Sequence, residues 1–436
     1  MTIARTGERH DNARMPAAQP AAQPAIPLRR LALLLGGLAM FGPFSIDTIF
    51  PAFPEMGAAL GADKLAMQQT ISVYLIAYAL MSVVHGPLSD AIGRRRVILG
   101  GLAVFTLATV GCALSTDLPT LLGFRALQGL SAGVGLIVGR AVIRDVLHGD
   151  DAQRLMSQVS MIFGIAPAIA PVIGGWILGW SRWPTIFWFL VAFSAALLLA
   201  TWLALPETHP PGERLAPRPR ELLRGYAGIF LNPRFQRLAA AGTFNFGALF
   251  LYIASAPAFV MDILGLGQDA FAWFFVPMIG GMMAGAWTSG RIAGRVSGVA
   301  QTRLGFACCG VAVAVNLLYN LVVAEPEVPW AVLPMMLNAF GVALVFPILT
   351  LAILDMYPRQ RGSASSLQAF TGLVFNAVIA GVLSPLLSGN PLWLAGGAVL
   401  FALLGWAIWH WEMRTGTRMP PGDPEYAAAL EPTERL

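Results

Sequence analysis

The sequence predicts an all-α polytopic membrane protein, with twelve transmembrane helices in two pseudo-symmetric six-helix bundles. Three observations lead there. The 436 residues are 56% hydrophobic and only 12% charged, whereas a soluble domain carries about 25% charged residues. The apolar residues fall into twelve runs, each near the roughly 20 residues that a bilayer-spanning helix needs. One long polar stretch divides those runs six and six.

The runs cover 31–53, 67–89, 97–116, 118–140, 155–179, 183–205, 237–261, 270–293, 302–324, 329–354, 362–388 and 391–411. They are continuously apolar, which excludes lipid-facing strands, because those alternate over about 10 residues. Residues 1–28 form a Pro/Ala/Gln-rich polar tail without the apolar core of a signal peptide, so disorder is expected there. Residues 29–205 make the first predicted bundle and 237–411 the second. The Pro- and Arg-rich stretch 206–236 is the predicted linker, and 412–436 is a second tail. Lys64, the only lysine, and Arg182 fall in loops on one side, and Arg125 falls inside a run. The other 25 of the 28 basic residues, among them Arg29, Arg30, Arg94, Arg95, Arg96, Arg218, Arg220 and Arg359, fall in the opposite loops, at the run ends that border those loops, or in the tails. The positive-inside bias therefore predicts that those loops and both termini are cytoplasmic. The net charge of +5 reflects topology, and no aromatic-interleaved basic patch marks a nucleic-acid surface.

The first run ends in "FSIDTIFPAF", residues 44–53, where Asp47 is flanked by Phe44, Ile46, Ile49 and Phe50. A carboxylate there costs several kcal/mol unless it is paired, hydrated or protonated. The fourth run holds the second deep charge, Arg125. Counted from Leu31, Asp47 lies about 24 Å into its helix, and counted from Leu118, Arg125 lies about 10 Å into its own. Both depths fall in the outer half of a core about 30 Å thick, which predicts pairing or coupling through water. An isolated buried ion pair is a poor stability device, so a titratable role is expected. Asp47 is predicted to carry a transported proton and meet cationic or polar substrate. Arg125 is predicted to tune it and to be vacated or re-paired during the cycle.

Other polar and aromatic side chains mark a predicted substrate cavity. Tyr74 and Tyr78 are one turn apart in the second run and share a face. Phe44, Asn245, Phe246, Tyr252, Asn338, Gln368 and Asn376 are further lining candidates, with Met161, Met278 and Met335 as adaptable walls. Singly, each polar group suits an interhelical hydrogen bond. As a set they predict a roomy apolar cavity with few fixed polar contacts.

Between the second and third runs lies "GPLSDAIGRRR", residues 86–96. Gly86 is expected to let its helix end pack closely against a neighbour, and Gly93 to supply a tight turn. Asp90 can meet either Arg94 and its neighbours or a helix N-terminus. In the fifth run Pro167 and Pro171 should bend the helix, while Gly164, Gly174 and Gly175 should admit a close neighbour. The halves echo each other. "GRRRV" faces "AGRVS", and "VIRDVLHGDDAQRLMS" faces "AILDMYPRQRGSASS", aligning Asp145 with Asp355. Parallel repeats of this kind predict rocking around a central site.

These motifs carry a family resemblance. "GPLSDAIGRRR" resembles the signature loop of the major facilitator superfamily. "LLGFRALQGLSAG", 121–133, resembles its fourth-helix motif, a buried Arg followed by Gln-Gly. "GIAPAIAPVIGGWI", 164–177, is similar to the fifth-helix motif of the antiporter branch, with Ala170-Pro171 in place of Gly-Pro. "SIDTIFPAFPEM", "GRAVIRDVLHGDDAQRLMS" and "RGSASSLQ" together look like the Bcr/CflA drug-resistance subgroup. The resemblance covers the first eleven runs and departs at Ala91, usually basic, and at Ile49, often Tyr. It implies a proton-coupled drug antiporter of the bacterial inner membrane, exporting small apolar or cationic compounds such as antibiotics by alternating access. It also implies that Asp90 docks on the N-terminus of the eleventh helix as a cytoplasmic latch, and that the fifth helix seals against leak. A proton-coupled metabolite exporter or importer on the same fold is the alternative. The expected partners are a small-molecule substrate, protons and lipid, with no cofactor and a monomeric chain.

Other function classes lack their residues. A P-loop needs Gly-x-x-x-x-Gly-Lys-[Ser/Thr], but Lys64 sits in "LGADKLAM", which argues against an ATP-driven pump or another enzyme. Cys112 and the adjacent Cys308 and Cys309 have no metal spacing, and the five histidines are scattered, so no metal site is expected.

Overall fold

The computed structural model describes residues 27–147, 149–214, 219–293, 295–357 and 360–415, and among them it holds helices and no strands. The N-terminal residues 1–26, Arg218, Arg359, the side chain of Met161 and the residues after Thr415 lie outside that description. We number the membrane-length helices α1 (Leu28–Asp47), α2 (Lys64–Ile92), α3 (Arg94–Ala113), α4 (Leu118–Ala132 continuing as Val134–Val146), α5 (Gly149–Leu178) and α6 (Pro184–Ala204), then α7 (Pro233–Ala254), α8 (Ala272–Ile292), α9 (Gly298–Val322), α10 (Leu333–Asp355), α11 (Arg361–Val378, prolonged to Leu387) and α12 (Pro391–Thr415). Among the described residues ten helical stretches are long and apolar enough to cross a membrane, and α5 adds a shorter apolar portion, Ile162–Leu178.

Local chemistry sets the ends. Asp63, Asp117, Asn232 and Ser297 cap α2, α4, α7 and α9, each accepting a backbone N–H of the first turn. Pro51 follows α1 and has no N–H to offer the Asp47 carbonyl four residues back, so the helix stops there. The chain there turns through Phe50–Ala52 into the short helix Phe53–Leu60. Gly93 joins α2 to α3 at φ +105°, a conformation that a side chain would strain.

Each bundle has two layers. In the first, α2, α4, α1 and α5 stand in a row, with α3 and α6 behind. In the second, α8, α10, α7 and α11 form the row, with α9 and α12 behind. The rows face each other and meet at their edges, α2 against α11 and α5 against α8. Small residues make the rows tight. Gly135 of α4 lies against the Leu38 carbonyl of α1, and Gly281 of α8 against the Met336 carbonyl of α10, so that a Cβ at either would collide with backbone.

Leu28, Arg94 and the linker helix Pro219–Phe230 define one end of the molecule, the linker end; the other is the far end. Bonds between bundles concentrate at the far end. Lys64 pairs with Asp262 at 2.6 Å. Gln68, Gln69 and Ser72 of α2 donate to the carbonyls of Ala254, Gly381 and Ala377 at 3.1, 2.9 and 2.9 Å. Phe50 stacks on Phe275. Gly174 lies against the Thr48 carbonyl within the first bundle, and Gly175 against the Gln268 carbonyl of the second, both too close for a Cβ. Two expectations of close approach need correction: a Cβ on Gly86 or Gly164 would meet open space. Both lie nearer the linker end than the crossings at Gly174 and Gly175.

At the linker end, Glu412 is fully buried and pairs with Arg234 at 2.9 Å and Arg237 at 2.7 Å, tying α12 to α7. Two arginine partners explain why α12 continues past residue 411 through a carboxylate. The linker helix packs on α11 and α7, and its Tyr226 hydroxyl donates to the Val83 carbonyl of α2 at 2.8 Å. Within α2 that carbonyl would bond the N–H four residues on, but that residue is Pro87, which has none.

Candidate functional site

The deepest polar site forms where α1 stops. Helix termination at Asp47 leaves the last carbonyls of α1, Ser45 among them, without intrahelical donors. Arg125 of α4 is fully buried and fills that gap. Its Nη1 donates to the Ser45 carbonyl at 3.3 Å and to Gln128 Oε1 at 2.8 Å, and its Nε donates to the Thr70 carbonyl of α2 at 3.1 Å. The guanidinium lies 4.4 Å from the Tyr74 ring centroid, within cation–π range. Gln128 in turn donates to Thr109 of α3 at 2.8 Å. The Tyr74 hydroxyl donates to the Gly42 carbonyl at 2.8 Å and receives Ser45 Oγ at 3.1 Å. The guanidinium thus joins α4 to α1 and α2 directly, and to α3 through Gln128.

Asp47 stands beside this network and outside its hydrogen bonds. Its side chain is 5% exposed and has no hydrogen bond or ion pair. Arg125 bonds the Ser45 carbonyl two residues before Asp47, but the expected ion pair between the two charges is absent. The geometry of α1 explains this. Ser45 points its hydroxyl at Tyr74, and Asp47, two residues later, is about 200° further round the helix. Tyr74, whose ring lies against the guanidinium, is the member of the network within electrostatic reach of Asp47. Such an arrangement offers a carboxyl free to take and release a proton, next to a cation whose bonds would feel the change.

The other candidates divide by position. Tyr74 belongs to the arginine network. Phe44 is buried against Phe189 and Phe193 of α6. Asn245 donates to the Cys309 sulfur, and the Tyr252 hydroxyl receives Asn316 at 2.6 Å, so both face the back-layer helix α9. Gln368 donates to Thr350 at 2.9 Å, joining α11 to α10. Asn338 is fully buried, and neither polar atom of its amide has a partner. Phe246 stacks on Phe250 and is half-buried. Asn376 is buried, as are Met278 and Met335. Tyr78, 9% exposed, has no hydrogen-bond partner.

In the 86–96 loop, Arg94 gathers the acidic groups. It pairs with Asp90 one turn before it and with Asp145 at 3.1 Å, and donates to Ser89 at 2.6 Å. Its backbone N–H donates to Glu207 at 2.9 Å. Asp90 therefore sits on Arg94 here, and the N-terminus of α11 receives no bond from it. In α5, Pro167 is half-buried and Pro171 is buried inside a continuous helix.

Sequence reasoning missed Gln128, Ser45 and Thr70 as partners of Arg125, and Thr109 as the partner of Gln128. Only Gln128 had a local signal, since three residues after Arg125 places it on the same face. It also missed Tyr226, whose signal was Pro87, because a proline in a helix frees a carbonyl four residues back.

Comparison with known proteins followed the geometry. The sequence profile of the Major Facilitator Superfamily matches residues 33–380. Multidrug resistance protein D of Escherichia coli is 29% identical over 343 residues, 77% of this chain and 84% of that protein. A bicyclomycin resistance protein homolog of Haemophilus influenzae is 25% identical over 392 residues, 86% of this chain and 94% of that protein. Among solved structures, a D-xylose-proton symporter superposes with a TM-score of 0.67 at 13% identity, covering 87% of this chain and 97% of that one.

Proposed function

The chain belongs to the major facilitator superfamily, and from that premise we propose that it is a proton-coupled exporter of small, largely apolar or cationic compounds, antibiotics among them. The observation that carries the reading is Asp47: a buried carboxyl without hydrogen bond or ion pair, level with the buried Arg125 network. A structural carboxylate would be paired, because leaving one buried and bare is costly. A carboxyl that must bind and release a proton in each cycle has to be free of a permanent partner. The resistance named in the relatives from Escherichia coli and Haemophilus influenzae supports drugs as the substrate class.

The cycle we propose is alternating access. The arginine-rich linker end is cytoplasmic by the positive-inside bias, and the far end faces outward. With the far-end bonds made, the space between the rows opens toward the cytoplasm. Substrate enters there, Asp47 exchanges its proton, the far-end bonds part, and Asp90 moves from Arg94 to the N-terminus of α11 to shut the cytoplasmic side. The protein works as a monomer in the bacterial inner membrane. Proteoliposomes holding a pH-sensitive dye test this reading: adding ethidium or chloramphenicol should release protons from acid-loaded vesicles. No drug-dependent proton movement would reject the coupling.

A further inference from the structure

We propose that Arg140, with Arg144 and the Tyr78 hydroxyl, forms a subsite for a carboxylate or phosphate group of a small molecule entering between the bundles at the linker end. The proposal deepens the reading above, because it takes the space between the rows as the substrate path.

The helical register of α4 places these residues. Val134 packs on Gly101 of α3, so that face looks to the back layer. Gly135 and Gly139 face Leu38 and Leu35 of α1, and Gly133 faces the Tyr78 ring of α2. Arg140 comes seven residues after Gly133, about two turns on, and so returns to the α2 side. Arg144 follows one further turn along that side. Asp145, one residue on, points to the α3 side and meets Arg94 there, which agrees with this register. α3 stands behind α4, so the residues away from it look toward the other bundle.

Both arginines are exposed although their helix is packed on three sides. Arg140 lies within electrostatic reach of both Tyr78 and Arg144, in keeping with the register that starts from the contact of Gly133 with the Tyr78 ring. None of the three has a hydrogen bond or ion pair. Three carboxylates of this end are already engaged: Asp90 and Asp145 by Arg94, and Glu207 by the Arg94 backbone and by Arg214. Arg140 is about 9 Å inside the last residue of α4. Two guanidiniums and a phenol thus gather at the seam of α2 and α4, and among the described residues no acceptor bonds them. A guanidinium matches carboxylate and phosphate oxygens with paired donors, and a cation at this depth within a membrane helix is characteristic of a functional position.

The test uses the full-length protein in nanodiscs, either of phosphatidylcholine alone or of an equal mixture with phosphatidylglycerol. Carboxyfluorescein is the anionic probe and ethidium the cationic control, both read by fluorescence anisotropy. Arg140→Gln should weaken carboxyfluorescein binding by about tenfold or more, Arg140→Lys by less, and Tyr78→Phe by a few fold. Ethidium affinity and the thermal unfolding temperature of the two Arg140 variants should stay at the wild-type values, which shows that they fold. Equal carboxyfluorescein affinity in wild type and Arg140→Gln, or no binding to wild type, overturns the proposal. If phosphatidylglycerol displaces the probe from the wild-type protein, the anion held there is a lipid headgroup and the small-molecule assignment falls. The assay needs no gradient, so it can fail while proton coupling stands, and succeed while proton coupling fails.

Discussion

Replacing Arg125 with alanine removes three hydrogen bonds and a ring contact from the centre of the first bundle. The Thr70 and Ser45 carbonyls and the Gln128 amide oxygen all lose a charged donor. An acceptor left unsatisfied in a buried site costs about 1–3 kcal/mol. Thr70 keeps its N–H partner inside α2 and Gln128 keeps the Cys112 thiol, so the Ser45 carbonyl alone is left bare, and about 3 kcal/mol, the upper end for one acceptor, is the working value. That is more than a hundredfold in the ratio of folded to unfolded protein. Arg125→Lys keeps the charge but replaces a fork of donors with one compact ammonium, and should cost about half as much. Tryptophan fluorescence during heating in mild detergent reads the stability, and ethidium efflux from proteoliposomes reads the function. Arg125→Ala should unfold well below the wild type and transport as poorly as a variant without Asp47, with Arg125→Lys between. An Arg125→Ala protein that melts and transports like the wild type would refute the reasoning and leave the four-helix junction without consequence.

Three further substitutions probe other parts. Asp90→Asn should change stability by less than about 1 kcal/mol, because Asp90 is partly exposed and Arg94 keeps Asp145 and Ser89. It should nevertheless lower turnover and raise the fraction open at the linker end, measured with paired spin labels on α2 and α11. Tyr226→Phe should shift the same distance distribution by a few fold in population, and should have no effect in a Pro87→Ala background, where the Val83 carbonyl regains an intrahelical donor; an equal effect in both backgrounds would remove the bond from the account. Gly135→Ala should destabilise by about 1–3 kcal/mol through collision with the α1 backbone, while Gly86→Ala should be neutral or up to about 1 kcal/mol stabilising, as thermal unfolding would show.

Much of the fold was legible because a bilayer forces its sequence to be simple. Twelve apolar runs, a midpoint linker and a one-sided distribution of arginine left little choice of architecture. The site was legible in part. Asp47 and Arg125 stood out because charge is rare in such runs, and helix rise alone gave their common depth. Their relation was not legible, since it depends on where α1 stops: the end at Asp47 leaves the Ser45 carbonyl open, and Arg125 bonds it in place of the carboxylate. The lining residues were read too generously. A mid-span Tyr or Asn looks the same in sequence whether it faces a cavity or a neighbouring helix, and Tyr74, Asn245 and Tyr252 face helices. Glu412 was placed in the tail because its partners, Arg234 and Arg237, lie about 175 residues away in the chain.

The central claim is that Asp47 is the group that exchanges the proton. Asp47→Asn keeps size and polarity but has no titratable carboxyl, and with no ion pair to break it should fold as the wild type does. The most direct measurement is proton movement driven by drug in proteoliposomes, with a fluorescent pH indicator inside and ethidium added outside, comparing Asp47→Asn with wild type at equal incorporation. The account predicts a proton signal from the wild type and none from Asp47→Asn, while ethidium binding by the purified variant persists. A wild-type proton signal from Asp47→Asn would contradict it.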